Sequence, residues 1–288
     1  MEYIKNIRIG EYRNLEMIRP SPKGYVMKGL NKSGQMVLLK SFFKSKKNSF
    51  CFIYDPHKNM FILREMFYLS KLTGKHFVPT LFDYHDGVDL ATVVMEYLDK
   101  DWSHLGHFVD RYRDERVLKI VMKKVILIMY EMEKMGYYHC DIKPDNIMVN
   151  HITLEVKFID FEDLYLNKSF DPLYRNPDAG TMEFKSPESF SENPFYLLPS
   201  LVFNIGCILY CCQERTFPYC SMAAVFDCES FKITKSPKSL ESLIRLCTKL
   251  KPRDRINFHD LLHHEWFNSN SIFSSSLGFL NNLWKMIF

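Results

Sequence analysis

The hydrophobic residues of this 288-residue chain change their period once, near Leu98–Trp102, and that change constrains the fold more than any other feature. Upstream, Tyr25 to Phe43 alternates and is rich in Val, Leu, Met and Tyr, with Asn31-Lys32-Ser33-Gly34 between two apolar runs, which predicts a β-hairpin. Thr80–Tyr84 and Ala91–Tyr97 read as two further strands. Between them and the hairpin, Met60–Leu72 reads as a helix, because Phe61, Leu63, Met66, Phe67 and Leu69 recur at helical spacing before Gly74. Downstream, helical periods run through Val117–Met135, Leu201–Cys212, Leu240–Leu250 and Phe258–Trp266. A strand-rich part followed by a helix-rich part predicts the α+β class. The expected division is a small β-rich lobe over residues 1–98, a larger helical lobe over 99–267 and a tail over 268–288. In that tail Phe279, Leu280, Leu283, Trp284, Ile287 and Phe288 share one stripe, as in a short amphipathic helix that docks on its own domain.

Composition narrows the function classes. The formal charge is only +4, and the local group Lys40, Lys44, Lys46 and Lys47 reads as a solvated face, so no nucleic-acid partner is expected. Eight cysteines lack C-x-x-C spacing, and Cys211 and Cys212 are adjacent, which argues against a zinc site or a disulfide framework. A reducing, intracellular setting is expected, cytoplasmic or nuclear. The start, Met1 to Asn6, has no apolar signal core, and no run of about 18 apolar residues predicts a membrane span.

The chemistry concentrates in Tyr138-His139-Cys140-Asp141-Ile142-Lys143-Pro144-Asp145-Asn146-Ile147-Met148-Val149 and in Lys157-Phe158-Ile159-Asp160-Phe161-Glu162. Any one Asp or Asn in a loop is usually a turn or cap residue. Their joint spacing is not explained that way. The two stretches resemble the catalytic loop and metal-binding segment of protein kinases, H-R-D-x-K-x-x-N followed by D-F-G. That chemistry needs one carboxylate at the substrate hydroxyl, and a second carboxylate with an amide to hold magnesium on the ATP phosphates. The resemblance gives those roles to Asp141, and to Asp160 with Asn146.

The likeness extends in both directions from there. Lys143 matches the lysine of serine/threonine kinases that offsets charge on the transferred phosphoryl group, and Gly180-Thr181 with Ser186-Pro187-Glu188 resembles the end of an activation segment. Arg255 matches the arginine that pairs structurally with Glu188. Upstream, Val37-Leu38-Leu39-Lys40 stands where V-A-I-K is expected, and Glu65 where the helix glutamate that pairs with Lys40 is expected. Val93 to Leu98 matches the strand and hinge that meet adenine, with Met95 as gatekeeper. The resemblance therefore implies a bilobal kinase fold and places Gly24, Val26, Leu38, Lys40, Glu65, Glu96, Leu98, Met148 and Asp160 around the nucleotide. It implies ATP and Mg²⁺ as cofactors and protein Ser/Thr hydroxyls, in a basic context, as substrate of a monomeric enzyme. It spans roughly Ile18 to Phe267. Asp101-Trp102, Phe108-Val109-Asp110-Arg111, Glu155 to Phe161 and the apolar Leu201 make it most similar to the Pim-like group.

Four departures stand against this. Arg19-Pro20-Ser21-Pro22-Lys23-Gly24-Tyr25-Val26 retains only Gly24 and Val26 of the glycine-rich loop, and Pro20 and Pro22 have no N–H to offer a phosphate, a loss that Lys23 or Arg19 can offset through charge. Leu38 replaces the alanine over the adenine. Glu162 replaces the D-F-G glycine, where it can repel phosphate or help bind metal. Cys140 replaces the arginine that receives an activation-loop phosphate, so Ser169 and Thr181 are not expected to act as charge switches. His139 reads as a core residue rather than a base. The second reading of the chain is accordingly a pseudokinase, a binding module built on the same fold.

Overall fold

In the computed structural model, residues 12–167, 173–174, 180–191, 193–219, 221–227 and 231–268 are described. The expected tail helix, Phe279 to Phe288, and Ser169 lie outside these residues. The chain forms two compact units. The first holds the chain as far as Ser103 and takes back Asn150–Ile152 and Lys157–Glu162; the second holds His104–Val149, Thr153–Val156 and the chain from Asp163 onward. The first is β-rich and the second helical, as the change of period predicts.

The first unit is built on β1 (Arg13–Ser21), β2 (Gly24–Leu30), β3 (Met36–Phe43), β6 (Leu81–Asp86) and β7 (Leu90–Glu96), with β4 (Phe52–Asp55), β5 (Met60–Leu63) and α1 (Arg64–Lys71) inserted between β3 and β6. The five long strands form one antiparallel sheet in the order β1-β2-β3-β7-β6. The predicted hairpin is β2–β3. Its turn is fixed by Asn31, whose Oδ1 accepts from Ser33 N (3.1 Å), Ser33 Oγ (2.7 Å) and Gln35 N (2.9 Å), an Asx turn that makes the reversal in place of water. Because side chains alternate along a strand, Met27, Val37, Leu39 and Val94 fall on one face and form a buried cluster, covered by Tyr12, Leu15, Met17 and Tyr25. At roughly 1.5–3 kcal/mol for each large apolar side chain removed from water, this cluster holds the sheet's register, since a one-residue slip exposes all four.

Two expectations for this unit need correction. Met60–Leu63 is not the first turn of a helix but strand β5, paired with β4 in the register Phe52–Leu63 to Asp55–Met60. Pairing overrides the helical spacing here: Ile62 and Leu63 are buried while Phe61 stays 64% exposed, and the helix begins only at Arg64. Lys40 is not part of a solvated face either. Its side chain is 14% exposed, whereas Lys46 and Lys47 are exposed at the start of the 3₁₀ turn Lys46–Cys51 and Lys44 pairs with Asp86 at 2.6 Å.

The second unit is helical: α2 (Leu105–Arg111), α3 (Glu115–Lys134), α4 (Leu197–Glu214), α5 (Met222–Phe226), α6 (Lys238–Cys247) and α7 (Glu265–Asn268). In α3 the start and stop follow from sequence. Asp114 caps its N-terminus by accepting from Arg116 N at 2.8 Å, and Lys134 lies in its last turn, where the helix dipole favours a cation. Helix α4 is long and apolar enough to cross a bilayer, but 67% of it is buried inside the protein, which makes it the unit's central core helix. It packs against α6 at Gly206, where a Cβ would lie 2.6 Å from the Cys247 side chain and 2.7 Å from that of Thr248, so only glycine lets the helices approach this closely. Phe258–Trp266, expected as one helix, is a 3₁₀ segment Phe258–His263 followed by the single turn α7.

Candidate functional site

In the first unit the pairing of β3 with its neighbours decides which side chains share a face. Lys40 stands opposite Val26 and Val93, and Leu38 opposite Lys28 and Met95. Cross-strand partners lie on one side of the sheet, so Val26, Leu38, Lys40, Val93 and Met95 share the face opposite the buried cluster. At the end of β7, Glu96 is committed on two sides. Its N–H donates to Thr80 O (2.8 Å), and its carboxylate takes Lys157 Nζ at 2.7 and 2.5 Å. Leu98 follows, half-buried.

Lys40 is the centre of a charged cluster. Its Nζ lies 2.7 Å from Glu65 Oε2, 2.9 Å from Asp160 Oδ1 and 3.2 Å from Glu162 Oε1. Glu65 projects from the first turn of α1, where the helix dipole favours a carboxylate, and is almost completely buried. Burial pushes Glu65 up to about 7; Lys40 opposes this, while repulsion from Asp160 and Glu162 adds to it. Burial alone would lower Lys40, but Asp160, Glu65 and Glu162 outweigh it and hold the ammonium well above its ordinary value. The cluster thus keeps its lysine charged. Asp160 sits at φ +67°, a left-handed conformation in which Asp is several-fold enriched. The ligand oxygens of Glu65, Asp160 and Glu162 lie within 4.8 Å of one another, a hard-oxygen set of the kind magnesium takes.

Glu162 binds more of the first unit than the sequence indicates. Its Oε2 accepts from Lys23 Nζ at 2.6 Å and from Cys51 Sγ at 3.7 Å, and its backbone carbonyl accepts from Arg64 Nε at 2.8 Å. Burial disfavours the Lys23 ammonium, but the bond to Glu162 outweighs this and holds Lys23 above its ordinary value. The turn carrying Lys23 is closed by Ser21, whose Oγ accepts from Lys23 N (3.2 Å) and Gly24 N (3.1 Å). A Cβ at Gly24 would lie 1.9 Å from Ser41 O, so the strand can pass there only as glycine.

In the second unit, three residues close a hydrogen-bonded ring and a fourth, Asn146, braces it. Lys143 Nζ donates to Asp141 Oδ2 (2.8 Å) and to Thr181 Oγ1 (2.6 Å), and Thr181 Oγ1 donates to Asp141 Oδ1 (2.7 Å). Asn146 Nδ2 donates to the Asp141 carbonyl (2.8 Å) and to its Oδ2 (3.1 Å). Burial raises the Asp141 carboxyl, but the bonds from Lys143 and Thr181 outweigh it and hold the group below its ordinary value. Both carboxylate oxygens are thereby fixed and ionised. His139 is buried, with Nδ1 facing the Asp141 N–H at 3.4 Å, which suits the expected core role. Cys140 is half-buried, with Sγ 3.6 Å from Tyr138 O. Met148 is buried in the strand Ile147–Asn150.

Further along, Arg255 and Glu188 form a two-pronged ion pair, Nη1–Oε1 at 2.6 Å and Nη2–Oε2 at 2.7 Å. The Arg255 side chain is 1% exposed. Its remaining donors reach the carbonyls of Lys249, Pro199 and Leu250, and its guanidinium lies 4.9 Å from the centre of the Phe203 ring.

The family model described as the protein kinase domain matches residues 22–267. The chain belongs to the protein kinase family. Among its relatives is serine/threonine-protein kinase 1 of African swine fever virus (isolate Pig/Kenya/KEN-50/1950), 23% identical over 206 residues, 70% of this chain and 67% of the viral protein. Serine/threonine-protein kinase pim-2 of Danio rerio is 27% identical over 164 residues, 57% of this chain and 52% of that protein. NUAK family SNF1-like kinase 2 of Rattus norvegicus is 24% identical over 266 residues, 89% of this chain but 40% of its own length. The Pim-like resemblance is thus shared with viral and SNF1-like kinases at similar identity, and no single subgroup stands out.

Of the kinase-pattern residues, Lys40, Glu65 and Asp160 come together in the first unit, and Asp141, Lys143, Asn146 and Thr181 in the second. The kinase pattern did not reveal Lys23 and Arg64 as partners of Glu162, nor the Glu96–Lys157 pair. The available signal was that an acid stands at the glycine of D-F-G while a lysine stands in the degenerate glycine-rich loop. Two departures of opposite charge in one family pattern invite the question of whether they meet.

Proposed function

We propose that this kinase domain transfers the γ-phosphoryl group of ATP to serine or threonine hydroxyls of protein substrates. The observation that carries the reading is the ring of Asp141, Lys143 and Thr181. A carboxylate fixed through both oxygens orients a hydroxyl and accepts its proton as bond formation makes it acidic. Lys143 next to it offsets negative charge on the transferred group, the arrangement that the resemblance associates with serine/threonine specificity. Lys40, kept protonated by its three carboxylates, is the cation for the α- and β-phosphates, and Glu65 holds it in place. The resemblance gives magnesium to Asp160 and Asn146, and within the first unit the oxygens of Asp160, Glu65 and Glu162 would hold it. Bound there, the ion would neutralise phosphate charge. The test is label transfer from ATP to basic peptides containing Ser or Thr, with Asp141→Asn as control. Transfer by the wild type that survives this substitution unchanged refutes the assignment.

A second reading, a pseudokinase acting as a binding module, is favoured by a specific observation: Glu162 already occupies both Lys23 and Lys40. The two readings separate in a thermal titration with ATP and magnesium. Ligand at 100 times its Kd adds about 2.7 kcal/mol of stability, so the absence of a shift at millimolar nucleotide supports the module.

A further inference from the structure

In the turn that should cradle phosphates through its backbone, positions 20, 22, 23 and 24 offer no free amide. Pro20 and Pro22 have no N–H, and the N–H groups of Lys23 and Gly24 are both taken by Ser21 Oγ. What the turn presents in their place is an ammonium. Lys23 Nζ and Lys40 Nζ converge on one carboxylate, at 2.6 Å from Glu162 Oε2 and 3.2 Å from Glu162 Oε1. Two ammonium groups bridged by one bidentate anion is also the geometry that holds a phosphoryl group, whose oxygens have similar spacing and greater charge. The Lys23 side chain is 41% exposed, so it can be reached from solvent, and its four-carbon stem can follow an incoming anion. Its backbone does not move with it, because Asn48 Nδ2 binds Lys23 O at 3.2 Å and Ser21 closes the turn.

We propose that Lys23 is a phosphate-binding residue that replaces the missing loop amides, and that Glu162 fills the anion position between Lys23 and Lys40 until a nucleotide phosphate displaces it. The proposal rests on the kinase reading above. It makes the two departures of opposite charge, at the glycine-rich loop and at D-F-G, parts of a single device. The carboxylate keeps two lysines ordered and close together without ligand, at the cost of competing with phosphate.

The experiment is calorimetric titration of the full chain with adenosine, ADP and ATP, using the wild type, Lys23→Met, Lys23→Arg and Glu162→Gln. One lost charge-assisted bond weakens ADP and ATP binding in Lys23→Met by roughly tenfold or more, while adenosine, which has no phosphate, stays within about twofold. Lys23→Arg restores most of the loss. Glu162→Gln binds ATP more tightly than the wild type, because the competing charge is gone, although it melts lower because a bond is lost. If Lys23→Met weakens adenosine and ATP alike, or weakens neither, Lys23 is only a brace and the proposal fails while the kinase reading stands. A wild type that binds neither adenosine nor ATP overturns both.

Discussion

Replacing Arg255 by methionine keeps most of the side-chain volume but strands the Glu188 carboxylate, 13% exposed, and removes a donor from the carbonyls of Lys249, Pro199 and Leu250. Losing one partner of a buried pair costs about 3–5 kcal/mol, mostly the penalty of the charge left behind. The opposite change, Glu188→Gln, leaves Arg255 with those carbonyls and the Phe203 ring, and glutamine still accepts one bond, so its cost falls below that of the arginine change. For a folding unit of this size each kcal/mol moves Tm by about 2–4 °C, which makes the expected drop for Arg255→Met roughly 6–20 °C. Urea unfolding of wild type, both single variants and the double variant, followed by tryptophan fluorescence, completes a double-mutant cycle. The double variant should be less destabilised than the sum by about 0.5–3 kcal/mol. A loss below about 1 kcal/mol for Arg255→Met, or additivity within error, refutes the expectation that this buried ion pair stabilises the fold.

Three further outcomes are expected. Thr181→Val, which keeps the shape but removes the hydroxyl shared by Asp141 and Lys143, should lower transfer at least tenfold, with Thr181→Ser retaining most of it; equal activity in all three proteins in a peptide assay would show the ring to be idle. On the proposed kinase reading, Leu38→Ala should tighten nucleotide binding, because Leu38, which shares a sheet face with Val26 and Lys40, would stand over the adenine; weaker binding by calorimetry would contradict that placement. Glu65 has a folded-state pKa of about 7, above the roughly 4.3 of an unfolded glutamate, so its contribution to stability is complete below the lower value and is lost as pH rises through the higher one. Melting curves should therefore show the wild type losing stability relative to Glu65→Gln between about pH 4.5 and 7.5, with no further divergence above; a constant difference across that range would refute it.

The parts of this fold that were legible in sequence share one property: their signal is local. The β2–β3 turn is written in Asn31 to Gly34, the body of α3 in the helical period of Val117–Met135, and the passage from a β-rich to a helical part in the change of apolar period. Met60–Leu63 misled because its period fits a helix, and only pairing with Phe52–Asp55, itself preceded by an unremarkable polar stretch, makes it a strand. The same boundary runs through the site. Asp141, Lys143 and Asn146 lie within a few residues of one another, so their mutual hydrogen bonds can be anticipated from spacing, whereas Thr181, which closes the ring, stands 40 positions from Asp141. The Lys23–Glu162 bond joins residues 139 positions apart, and the family pattern is silent there because neither residue belongs to it. Lys40 shows how a run of charges can mislead: it stands in a lysine-rich stretch, yet strand alternation turns it inward to three carboxylates while Lys46 and Lys47 remain in water.

Gly24 carries a consequence for how such a chain tolerates change. A motif search credits it to nucleotide binding, yet the Ser41 carbonyl forbids any side chain there regardless of ligand. A saturation library over residues 19–26 would therefore return glycine at position 24 even when selected for folding alone. If Lys23 binds phosphate as proposed, its enrichment, by contrast, would rise further under selection for phosphoryl transfer than under selection for folding. In a degenerate loop, the residue most faithful to the motif is the least informative about activity, and the residue foreign to it is the one whose tolerance profile distinguishes an enzyme from its inert copy.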